Sequence, residues 1–88
     1  MAYVKRIVLD VLKPHHPSAL EFAQALAALG PDYQVHLMVT EVDENTETLQ
    51  LEIKGNAINF EAVQNTINEM GGSLHSIDEV ETYGSKGK

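Results

Sequence analysis

Four runs of alternating apolar residues, interrupted at two fixed places by capped helical segments, constrain this chain more than any other feature. The first run spans Val4 to Lys13. It sets Ile7, Leu9 and Val11 on one face and Arg6, Val8, Asp10 and Leu12 on the other. Pro14 and Pro17 end it, with His15 and His16 between them. Ser18 then reads as a helix N-cap, and Glu21 three residues later completes a capping box. Leu20, Phe22, Ala23, Leu26, Ala27 and Leu29 follow at helical spacing until Gly30-Pro31 stops them. The second run, Gln34 to Val42, alternates Val35, Leu37 and Val39. The third, Glu47 to Gly55, alternates Leu49, Leu51 and Ile53. For both rows to meet one core, odd residues must pair with odd residues. A three-residue loop, Glu44-Asn45-Thr46, preserves that parity, with Asn45 or Thr46 near the left-handed region. Asn59 caps a second helix running to Met70, with Phe60, Val63 and Ile67 on its apolar face, and Gly71-Gly72 closes it. The fourth run spans Ser73 to Thr82. Ile77 and Val80 cannot share a face of a regular strand, so a bulge or twist is expected there.

The resulting order is β-α-β-β-α-β, the split βαβ arrangement of an α+β, ferredoxin-like fold. Right-handed crossovers make strand one parallel to strand two and strand three parallel to strand four. The sheet is then fully antiparallel, in order 4-1-3-2, with both helices on one face. Residues 1–83 form the domain, and the apolar-free tail 84–88 is expected to be disordered. The face away from the helices carries Val8, Leu12 and Met38 among charged residues. That mixture predicts a subunit interface.

With 88 residues the chain has room for one modest core, and oligomerisation would strengthen it. Without cysteine it has no disulfide, thiolate metal site or cysteine nucleophile. Six basic residues against thirteen acidic ones give a formal charge of −7. Nucleic acids and anionic membranes both require a basic footprint, so neither is expected as a partner. The start of the chain lacks a signal-peptide core and no apolar run is long enough to span a bilayer, so a soluble, cytoplasmic protein is expected.

The segments Arg6–His15 and Gly71–Val80, with Ile53-Lys54-Gly55-Asn56 between them, resemble one family: the small, mainly archaeal domain of unknown function 211. The resemblance covers nearly the whole chain without a large insertion. It implies a ferredoxin-like fold assembled into hexameric or larger rings, no established enzymatic activity, and calcium or other metal ions bound in some members.

Strands one and four should be antiparallel neighbours, which brings their motifs to one edge. His15, His75 and Asp10 there have the donor set for a transition metal. Asp10, Asp78, Glu79 and Glu81 have instead the oxygen donors that calcium or another hard divalent ion prefers. The plainer readings are exposed loop histidines, an Asp10–Arg6 surface salt bridge, and an acidic strand edge that discourages pairing. No serine lies in a nucleophile-elbow pattern, and Gly71-Gly72-Ser73 leads from helix to strand, the reverse of a phosphate loop. The sequence therefore favours a non-enzymatic, self-assembling module with divalent cations at acidic subunit edges. The alternative is a regulatory domain that senses a small molecule bound between subunits.

Overall fold

The computed structural model describes residues 2–84. Its elements are β1 (Ala2–Pro14), α1 (Ala19–Ala27), β2 (Gln34–Val42), β3 (Thr46–Lys54), α2 (Phe60–Glu69) and β4 (Ser73–Gly84). The sheet order is β2-β3-β1-β4 with every neighbouring pair antiparallel, the expected 4-1-3-2 read from the other edge. The predicted boundaries hold to within two residues. Gly84 belongs to β4, and the remainder of the predicted tail lies outside the described residues.

The central pair sets the core. In the β1–β3 ladder Ile7 faces Ile53, Leu9 faces Leu51 and Val11 faces Leu49, all buried. Phe22 and Leu26 of α1 and Val63 and Ile67 of α2 close over this row from one side. α1 packs over β2 and α2 over β4. Ser18 and Glu21 form the predicted capping box, and the Asn59 side chain accepts from the Ala62 N–H. Gly71 ends α2 at φ +83°, where a residue without Cβ avoids a steric clash.

Parity between β2 and β3 is handled differently from the expectation. Odd residues pair with odd as far as Val39 opposite Leu49, but then Glu41 faces Thr48 and Val42 faces Glu47. Thr40 is the extra residue of a bulge, and its Oγ1 donates to the Thr48 carbonyl at 3.2 Å. The loop is accordingly Asp43-Glu44-Asn45, closed by the Asp43 N–H donating to the Thr46 carbonyl at 2.8 Å. Among the described residues no side-chain-bearing residue has positive φ, so neither Asn45 nor Thr46 takes the left-handed form.

The expected irregularity of β4 is present twice. Val11 faces Leu74, Leu9 faces Ile77 and Ile7 faces Val80, with shifts in register at His75 and Asp78. Each bulge absorbs one residue, so apolar side chains three apart return to the same face. α2 covers this row only in part: Ile77 is 49 % and Val80 56 % exposed.

Candidate functional site

Two polar constellations hold the sheet, one on each face. The first is at the end of the core. Lys13 continues the row Ile7, Leu9, Val11, and Glu47 continues the row Ile53, Leu51, Leu49, so the two face each other in register. The Lys13 side chain is wholly buried. Its ammonium has three donors, and its close acceptors are the Pro17 carbonyl at 2.7 Å, the Pro14 carbonyl at 2.8 Å and Glu47 Oε1 at 3.0 Å, with the His15 carbonyl more distant at 3.5 Å. Ordinary parity would have shown this, because Lys13 and Glu47 are both odd-numbered. In the sequence Lys13 reads only as a strand end, and Glu47 carries no signal besides that parity.

His15 completes this group. Its Nδ1 lies 3.0 Å from Glu47 Oε2, and its Nε2 lies 3.1 Å from the Asp43 carbonyl and 2.9 Å from that of Glu44. The hydrogen bond to Glu47, followed by that to the Glu44 carbonyl, raises the imidazole pKa above its ordinary value. The same bond from His15, and next that from Lys13, lowers the pKa of Glu47. Both ring nitrogens are turned to internal acceptors, so His15 offers no lone pair to a metal.

The second constellation lies on the open face. Arg6 Nε contacts Glu52 Oε2 at 2.5 Å and Nη1 contacts Glu79 Oε1 at 2.7 Å. Val8 is flanked by those same two glutamates in register, and the arginine bridges them. Val8 is therefore buried, 4 % exposed, despite its place on the open face. This changes the reading of Val8 as a bare contact residue, because its own chain covers it. Leu12 (42 %) and Met38 (46 %) are exposed, but β3 separates them, with Thr48 and Gln50 between. Arg6 pairs with Glu52 and Glu79 rather than with Asp10.

The remaining predicted site residues are dispersed. Asp10 and His75 line one open cleft of about 320 Å³ with Leu12, Glu41 and Thr48. His15 turns to the β2–β3 side of β1, whereas His75 sits on β4 across from it. Asp78 is exposed and accepts from the Ser76 hydroxyl at 2.7 Å. Glu81 lines a second cleft, of about 400 Å³, with Lys5, Arg6, Asp32, Lys54 and Asn56. That lining is polar and charged, unlike the mostly apolar wall of a small-molecule pocket. Among the described residues no three His, Asp or Glu side chains gather as a metal site. Calcium takes six to eight oxygens, so a site on these dispersed carboxylates would need further donors beside them.

Among the described residues no helix is long and apolar enough to cross a membrane. Comparison with known proteins agrees with the motifs at both ends of the fold. A family model, DUF211, described as Uncharacterized ArCR, matches residues 5–86. The uncharacterized protein MJ0319 of Methanocaldococcus jannaschii is 43 % identical over 77 residues, which are 88 % of this chain and 79 % of that protein. The match spans β1 with its Arg6 and Lys13, the β2–β3 hairpin and the bulged β4, and on that extent the chain belongs to the DUF211 family.

Proposed function

We propose that this protein is a non-enzymatic module that works by assembling with copies of itself. One observation carries the reading: apolar side chains on the helix-bearing face stay uncovered at both edges of the sheet. Val39 (40 %) and Val42 (65 %) are exposed on β2, and Ile77 and Val80 on β4. Register puts the β2 patch level with Val11 and Lys13, at one end of the sheet, and the β4 patch level with Leu9 and Ile7, at the middle of the opposite edge. Two different patches on opposite edges suit a head-to-tail contact, in which the β2 edge of one copy meets the β4 edge of the next. Such a contact closes into a ring when its rotation permits, which favours an assembly larger than a dimer.

A divalent ion enters this reading only as a bridge between subunits, with exposed carboxylates such as Asp78 and Glu81 on one side of the contact and acceptors of the next copy on the other. Sedimentation or light scattering at micromolar concentration tests the proposal. A mass above that of a dimer is expected, and a monomer at moderate salt would refute it. The same measurement with added calcium and with chelator reads whether ions take part.

A further inference from the structure

The geometry points to His15 as a pH-sensitive latch that, in its protonated form, ties the β1–α1 connection to the β2–β3 hairpin. A neutral imidazole has one donor and one acceptor nitrogen, whereas an imidazolium donates from both. Here both nitrogens meet acceptors only: a carboxylate oxygen of Glu47 at Nδ1, and the Asp43 and Glu44 carbonyls at Nε2. Only the charged ring satisfies both sides. On deprotonation, one nitrogen presents a lone pair to an oxygen, and either the Glu47 bond or the carbonyl bonds must be given up.

The surroundings favour the charge. Glu47 of β3 is the carboxylate facing the ring, and Lys13 of β1 is the cation sharing it, through the other oxygen. From the hairpin turn come the two carbonyls, while Asp43 and Glu44 are themselves exposed. Lys13 opposes protonation through its charge, but its ammonium is directed at Oε1 and two loop carbonyls, leaving Oε2 to the ring. The upward shift of the imidazole, caused first by Glu47, agrees with this geometry.

The latch joins segments far apart in sequence, one residue beyond the last rung of the β1–β3 ladder, where Pro14 faces Thr46. Its release would free the hairpin tip while leaving the β1–β3 ladder and Lys13 in place. The latch lies within one subunit and does not depend on self-assembly.

A pH titration by NMR on the full chain tests it, following the His15 ring protons and the backbone amides of Asp43, Glu44 and Asn45. The expected ring midpoint lies above 6.5, the ordinary histidine value, and the hairpin amides shift with that same midpoint. In His15→Gln the hairpin amides should no longer follow that titration, and in Glu47→Gln the ring midpoint should fall. A ring midpoint at or below 6.5 in the unsubstituted chain would overturn the proposal. So would hairpin amides that stay flat through the ring's midpoint, or that titrate unchanged in His15→Gln. Should Glu47→Gln fail to fold, the other two measurements still decide.

Discussion

Lys13 and Glu47 face each other across the β1–β3 ladder, with Nζ 3.0 Å from Oε1, and together they close the end of a row that is otherwise apolar. An ammonium withdrawn from water is tolerated only where its donors are met, and here two loop carbonyls and one carboxylate meet them. The loop leading into α1 is thus held down by a charge at the floor of the core.

Lys13→Met should therefore be costly although it adds an apolar residue to an apolar row. It strands the Pro14 and Pro17 carbonyls and leaves Glu47 with His15 as its remaining partner. Breaking one side of a buried pair typically costs about 3–5 kcal/mol. Urea unfolding should show a midpoint lowered accordingly. An unchanged midpoint would mean that the buried ammonium contributes nothing net.

The pH dependence of stability follows from two opposed shifts. The His15 pKa is raised on folding, so its contribution is complete below the ordinary value of 6.5 and is lost as pH climbs through the folded value. The Glu47 pKa is lowered, so its contribution is present above the ordinary value of 4.5 and is lost as pH falls through the folded value. The latch is tightest between those limits. The stability difference between the unsubstituted chain and His15→Gln should peak near pH 5–6 and shrink above neutrality. Thermal melts at a series of pH values check this, and a difference that grows with alkaline pH would contradict it.

Gly71→Ala should destabilise by about 1–2 kcal/mol, because φ at this position is +83° and an L side chain pays for the left-handed region. The added Cβ would also sit 3.4 Å from Pro14 Cγ, an ordinary contact, so backbone conformation rather than crowding sets the cost. Calorimetry should show a lower Tm for Gly71→Ala and little change for an alanine at Gly84, whose surroundings are open.

Val80→Asp and Val42→Asp separate assembly from folding. Both side chains are more than half exposed, so the isolated subunit should keep its unfolding midpoint. If the patches meet in the assembly, either change places an unpaired charge in the contact, and sedimentation should show a smaller mass. Leu12→Glu, on the opposite face, serves as the comparison. If it alone lowers the mass, the contact lies on the open face instead.

Much of the fold was legible because strand and helix periods announce themselves. The alternation of Ile7, Leu9 and Val11 against Leu49, Leu51 and Ile53 determines the central ladder, and Ser18 with Glu21 marks a helix start. Bulges were harder to place. The spacing of Leu74, Ile77 and Val80 signals that a regular strand fails, but the bulge at Thr40 leaves no such trace, since Val39 and Val42 read equally well as a strand running out. The site was less legible than the fold. His15 is legible as a polar residue at the right end of β1, yet the antiparallel β1–β4 pairing points to β4 for its partner, which lies on β3. Charge and donor type in a sequence suggest a metal as readily as an internal ion pair. Only the direction in which a side chain leaves its strand distinguishes them.

Ala2 faces Gly84 at the outer end of the β1–β4 ladder. The polypeptide thus departs from the domain at the point where it arrived, and in space the fold is nearly a closed circuit. Joining these ends and opening the chain at Asp43–Asn45 would give a circular permutant with every ladder preserved. Placed inside a larger polypeptide, such a unit would hang from a single point as a pendant and need not lengthen its host.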